Sequence, residues 1–135
     1  MRLAAILIAI LAAASALPAP AETPAQFRDA FAREARAENP AFAAPSADRG
    51  RTFFTALHGR EWSCASCHTQ DPAAAGKHAA TGKPISALAP AANAERFTSA
   101  AKVDKWFRRN CNDVAGRPCS AQEKADILAW LLAVK

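Results

Sequence analysis

The chain has 135 residues, 51% of them hydrophobic and 21% charged, with a formal net charge of +5. That size and balance fit one globular domain, with a core thinned by the predominance of alanine among the apolar residues. The charge is a mild excess without a dense basic run interleaved with aromatics, which argues against nucleic-acid binding; steering of an acidic redox partner, or a merely soluble surface, accounts for it.

Met1-Arg2 is a short basic start, Leu3 to Leu17 an apolar run, and Ala19-Pro20-Ala21 a set of small residues suited to cleavage. This is the pattern of a secretory signal peptide over residues 1–21. The run falls short of the roughly 20 residues that a membrane-crossing helix needs. The expected product is a single domain over 22–135, with no membrane span after cleavage, located in the periplasm.

Thr23 is a helix cap with Pro24 at the first helical position, and Phe27, Ala30, Phe31 and Ala35 recur at helical spacing. Asn39-Pro40 ends that helix. Ser46 opens a second, whose apolar stripe reads Ala47, Gly50, Phe53, Phe54 and Leu57 before His58-Gly59 stops it. Glycine weakens a helix by about 1 kcal/mol relative to alanine. Its place in the apolar stripe therefore predicts the close approach of another helix.

Cys64-Ala65-Ser66-Cys67-His68 follows. C-x-x-C-H is the attachment signature of c-type haem: two thiols form thioethers with the porphyrin, and the adjacent imidazole takes the iron from the proximal side. Cys64 and Cys67 are thus the expected haem attachments and His68 the proximal ligand. Export matters here, because disulfides persist in an oxidising compartment. With two cysteines on the haem, Cys111 and Cys119 remain as an oxidisable pair, closing a ring that contributes about 2–3 kcal/mol in the chain-entropy model.

Residues 69–90 hold Asp71-Pro72, Gly76, Gly82-Lys83-Pro84 and Pro90 and read as a long loop. A loop of that length needs something to wrap, and a haem edge serves, with Ile85 and Leu88 packed on it. The carbonyl of Pro84 or Pro90 is a candidate acceptor for the second ring nitrogen of His68. Thr98 or Ser99 caps a third main helix, with Val103, Trp106, Phe107 and Asn110 on one face. Ser120-Ala121-Gln122-Glu123 is a capping box, and Ile127, Leu128, Leu131, Leu132 and Val134 form the buried side of the last helix, with Trp130 near it. No alternating strand is legible, so the fold class is all-α with four main helices.

The sole methionine is Met1, which leaves with the leader, so a methionine cannot be the sixth ligand of the mature chain. His58, His78, Asn110, Asn112, a lysine, or nothing remain. His58 at a helix end suits a C-terminal cap. His78 would make a bis-histidine site for plain electron transfer, or is an ordinary surface histidine. Asn110 either terminates its helix or, as a polar residue on an apolar face, needs a partner. Asn112 is displaced from that face.

The haem motif, together with Gly76-Lys77-His78, Thr81-Gly82-Lys83-Pro84-Ile85, Glu95-Arg96-Phe97-Thr98, Lys105-Trp106-Phe107-Arg108-Arg109-Asn110-Cys111 and Glu123-Lys124-Ala125-Asp126, resembles the sphaeroides haem protein family. These are small class I-like cytochromes c that bind oxygen, and the resemblance covers most of the mature chain. It implies a class I cytochrome c-like fold, about four helices around one covalent haem c. It also implies a crossing of helices from the N- and C-terminal parts of the chain, in which Gly50, Phe53 and Phe54 would meet Leu128, Trp130 and Leu131. It further implies Asn110 as the distal iron ligand beside a Cys111–Cys119 disulfide, and a dihaem cytochrome c as electron donor. An amide oxygen is a hard, weak donor that suits ferric iron better than ferrous. Reduction would then open the position to oxygen, nitric oxide or carbon monoxide.

Three readings without haem compete. A thioredoxin-like dithiol at Cys64 and Cys67 needs a strand before the motif. A disulfide scaffold suits shorter chains. A zinc site needs a further Cys/His pair close by. Gas binding, nitric oxide oxidation, peroxide handling and electron relay all use the same parts, and no distal acid–base pair is legible that would mark an enzyme.

Overall fold

A computed structural model describes residues 21–59 and 61–135; the expected signal peptide, apart from Ala21, lies outside them. The elements run α1 (Pro24–Glu38), α2 (Ala47–Thr55), α3 (Ala65–His68), β1 (Gly76–Lys77), β2 (Pro84–Ile85), α4 (Ala100–Ala115) and α5 (Ala121–Ala133). The four expected helices are α1, α2, α4 and α5; α3 is the single turn of the C-x-x-C-H motif.

Three of the expected caps form hydrogen bonds, whereas Ser99 stands at the N-cap of α4 without a side-chain cap bond. Thr23 and Gln26 bond reciprocally in a capping box at the start of α1, and Ser120 and Glu123 do the same for α5. The Ser46 side chain accepts from the Arg49 amide at the start of α2.

Helix α5 is the axis of the molecule, with α1 packed along one side and α2 crossing another. Ala121 and Ala125 meet Ala32, Ala35 and Phe42, while Ile127, Trp130 and Leu131 meet Phe54. Small residues allow the backbones to approach. A Cβ on Gly50 would overlap the Asp126 carbonyl and come within 2.9 Å of the Ile127 nitrogen. The glycine in the α2 stripe therefore marks a helix crossing, as its position predicts. The Phe54 and Trp130 rings meet across the same crossing, tilted by 56° with centroids 4.8 Å apart.

Asp126 fixes this crossing electrostatically. Its carboxylate is 3% exposed and accepts from Arg49 Nε at 2.8 Å, from Arg49 NH2 at 2.9 Å and from the Ser46 amide at 2.6 Å. A buried carboxylate is tolerated when paired and hydrogen-bonded in this way.

Three expectations are corrected, and one open alternative is decided. Helix α2 ends at Thr55 rather than near His58, and Leu57 is 65% exposed instead of completing the stripe. The reason is local: His58 Nε2 lies 2.7 Å from the Phe53 carbonyl, the acceptor that a Leu57 amide would need to extend the helix. Trp106 is 46% exposed, at the outer edge of the α4 stripe, with Lys105 and Arg109 over its ring. The 69–90 loop contains a small antiparallel hairpin pairing Gly76 with Ile85 and Lys77 with Pro84; strands of two residues show no readable alternation. Finally, α4 runs through Asn110 and Cys111 to Ala115, where Gly116 in the left-handed region caps it.

Candidate haem site

The C-x-x-C-H turn is held from within and from outside. The Ser63 amide donates to Ser66 Oγ at 3.0 Å, and the His68 amide to the Cys64 carbonyl at 3.0 Å. After His68 the chain turns off sharply at Thr69, a β-branched residue at φ 62°, a conformation that costs energy for such a side chain. The Thr69 hydroxyl offsets part of this by donating to the Asp71 carbonyl and accepting from its amide. The hairpin then returns to the motif. A Cβ on Gly76 would overlap the Cys67 carbonyl, and the Ala79 amide points at Cys67 Sγ at 3.2 Å. Only a glycine lets β1 lie this close to the motif, a role its place in an apparent loop did not reveal.

Cys64 and Cys67 are free, half-buried thiols on this turn. Cys64, Ala65, Leu88, Phe97 and Phe107 all pack on the buried group Phe54, Ile127, Trp130 and Leu131. The thiol side of the motif therefore looks onto apolar surface drawn from α2, α4, α5 and the loop, as a porphyrin requires. Burial, with a smaller contribution from Cys67, pushes the Cys64 thiol up to about 11. A dithiol redox centre needs the opposite, a stabilised thiolate. His68 lies with its ring 6.1 Å from Phe54. Burial first, then the positive charge of Arg96, lowers its pKa to about 4, leaving the neutral imidazole that a metal ligand must be. The residues thus fit a covalent haem. Among the described residues no group of three or more His, Cys, Asp and Glu side chains could hold another metal ion, which leaves the zinc reading without support. His68 makes no hydrogen bond to Pro84 or Pro90 among the described residues; instead the Pro72 carbonyl organises this loop, accepting from the Leu88 and Ala89 amides at 2.9 Å.

The sixth-ligand candidates fall in distinct places. His58 caps α2 through the Phe53 carbonyl and stacks on the Phe53 ring at 4.1 Å, the capping task its position suggested. His78 is half-buried in the hairpin turn, where its Nδ1 accepts from the Thr81 amide at 3.2 Å, next to the residue that contacts Cys67. Asn112 is exposed, and its carbonyl receives the Gly116 amide that ends α4. Asn110 is half-buried inside α4, at helical spacing with buried Val103 and Val114 and half-buried Phe107. It does not terminate a helix; Gly116 does. The next residue, Cys111, is bonded to Cys119, with Cα atoms 5.6 Å apart. This disulfide joins the last turn of α4 to the start of α5. Arg117 spans the same loop, donating to both Glu123 carboxylate oxygens at 2.8 and 2.6 Å.

A helical frame closed by crossing helices, with a C-x-x-C-H turn facing apolar surface, defines a small c-type cytochrome that carries one covalently bound haem. Comparison with known proteins places it more narrowly. Residues 40–131 match the family described as a domain of unknown function (DUF1924). The chain is 47% identical over 130 residues to the cytochrome c-type protein SHP of Cereibacter sphaeroides, covering 92% of this chain and 95% of that protein. It is 46% identical over 102 residues to cytochrome c'' of Methylophilus methylotrophus, covering 73% and 71% respectively. The crystal structure of oxidised cytochrome c'' aligns with a TM-score of 0.75 at 40% identity, over 83% of this chain and 94% of that one. The structure of oxidised SHP, an oxygen-binding cytochrome c, aligns with a TM-score of 0.73 at 43% identity, over 82% and 96%. The chain belongs to this family of sphaeroides haem protein-like cytochromes c.

Proposed function

We propose that this protein is a periplasmic gas-binding cytochrome c in which Cys64 and Cys67 carry the haem, His68 is the proximal ligand and the Asn110 amide is a displaceable distal ligand. The haem, when bound, supplies an iron that exchanges one electron and in its reduced form takes oxygen, nitric oxide or carbon monoxide. The observation that carries the reading is the position of Asn110: half-buried, inside a continuous helix, on the inward stripe with Val103 and Val114, and directly before a disulfide. A polar side chain there needs a partner, and helix termination is not its task. Its oxygen is a weak donor that reduced iron holds less well than oxidised iron. The Cys111–Cys119 bridge keeps the adjoining turn in place while the amide moves. A solution structure of the related cytochrome c'', aligned at a TM-score of 0.70 and 42% identity, concerns haem-ligand detachment, which supports an exchangeable distal ligand in this family.

Electrons come, on this reading, from an acidic redox partner such as a dihaem cytochrome c. The outer face of α4 suits it: Lys105 and Arg109 frame the exposed Trp106, and no helix among the described residues is long and apolar enough to cross a membrane. Export rests on the N-terminal leader pattern.

The visible spectrum of the reduced protein under carbon monoxide tests this directly. The wild type is expected to bind the gas, and Asn110→Ala to convert the oxidised protein to a high-spin spectrum. A reduced protein that stays six-coordinate and ignores carbon monoxide, with a low-spin spectrum abolished by His78→Ala, would instead establish bis-histidine electron transfer.

A further inference from the structure

Beneath α4 lies a cleft of about 370 Å3, bounded by α1, by α4 and by the Pro118–Lys124 turn into α5. Phe27, Phe31, Ala100, Val103 and Phe107 line it, and Lys124 and Arg108 stand at its edge. Arg108 is engaged by Asp104 at 3.3 Å, and the Lys124 ammonium sits 4.6 Å over the Phe31 ring. The charged groups are thus occupied with neighbours, and what the cleft offers a guest is apolar wall.

Phe107 connects this cleft to the haem side. It packs on the buried trio Phe27, Val103 and Leu128, and also on the Phe54–Ile127–Trp130–Leu131 group that supports Cys64 and Leu88. Its ring meets Phe31 edge-on, with centroids 5.6 Å apart. Val103 and Phe107, which line the cleft, fall at helical spacing with Asn110 on α4; Asn110 itself lies off the lining, on the far side of Phe107 along the helix. Diatomic gases are small and apolar. They partition into dry, apolar spaces that exclude ions, and cavities lined by Leu, Ile and Phe take up xenon for the same reason.

We propose that this cleft is the route by which a diatomic gas reaches the distal side, with Phe107 as its inner gate. The inference rests on the gas-binding reading above, and the test separates the two. In the oxidised holoprotein under xenon pressure, the Val103 methyl resonances should shift saturably while those of Val134, which does not line the cleft, should not. Val103→Phe fills the cleft and should remove the shift. Ala100→Trp blocks it from its exposed rim without disturbing a core residue, so it serves if Val103→Phe fails to fold. In the reduced protein either substitution should slow carbon monoxide association and dissociation several-fold by the same factor, leaving the dissociation constant unchanged. A barrier on a shared path retards both directions equally, whereas a disturbed distal site alters the equilibrium. Unchanged rates in a variant that no longer takes xenon, or no xenon shift in the wild type, overturn the route while gas binding stands. Absence of carbon monoxide binding in the reduced wild type overturns the gas-binding reading, and the route with it.

Discussion

Around α5 the chain is built in two ways. On one side α2 comes so near that Gly50 leaves no room for a Cβ against the Asp126 carbonyl, and Arg49 grips a carboxylate that water does not reach. On the other side α4 makes no comparably close backbone approach among the described residues. It is held by the Phe107 ring, by Val103, and by a disulfide at its far end. Its ion pairs, Arg108–Asp104 at 3.3 Å and Arg109–Asp113 at 3.7 Å, are exposed and contribute little. The contrast teaches where rigidity is needed. The α2–α5 crossing carries stability, while α4 is the more loosely held side, the one on which the distal ligand is proposed.

Substitutions can break this contrast in order of expected cost. Arg49→Met should be the most damaging, because it strands the buried Asp126 carboxylate with only the Ser46 amide as donor. Loss of one partner of a buried pair costs about 3–5 kcal/mol, measurable by urea unfolding. Asp126→Asn should cost less, since Arg49 is half exposed and can turn to water. If the two variants cost the same, the crossing is not held by this pair.

Cys111→Ser with Cys119→Ser should cost about 2–3 kcal/mol, the entropy of the closed ring. Unlike Arg49→Met, it should also broaden the spectral change on reduction, because the turn next to Asn110 is no longer fixed. An unaltered spectrum would show that the bridge serves stability alone.

Arg117→Ala should have a smaller effect that depends on pH. Burial would raise the Glu123 pKa, but hydrogen bonds from Arg117 and Ser120 overcome this and hold it below the ordinary carboxylate value. A depressed folded pKa means the contribution is complete above the unfolded pKa and lost as pH falls through the folded one. Wild type and variant should therefore differ at neutral pH by less than about 1 kcal/mol, the range of exposed pairs. They should converge in acid. A gap that persists after Glu123 is protonated would point to packing rather than charge.

Asn110→Ala should change stability least. In the reduced protein a difference of only about 0.5 kcal/mol is expected, from helix propensity, alongside the largest change in the oxidised spectrum. A large loss of stability would make Asn110 part of the frame instead of the moving side.

Much was legible in the residues alone. The haem motif, the cap at Thr23, the capping box at Ser120, the crossing marked by Gly50 and the pairing of Cys111 with Cys119 are all written in short spacings, because a cap, a turn or a small ring is decided by neighbours a few positions apart. Tertiary structure alone decided the rest. Arg49 finds Asp126 across a separation of 77 residues, Gly76 yields to the carbonyl of Cys67 across a loop, and Trp106 turns outward while Phe107 turns in. Asn110 could be read locally as the end of a helix. It lies inside one because Gly116, six residues later, supplies the left-handed turn, and because the disulfide holds that last turn against α5. Such partners are chosen by packing in three dimensions, where burial and the satisfaction of polar groups outweigh any local preference.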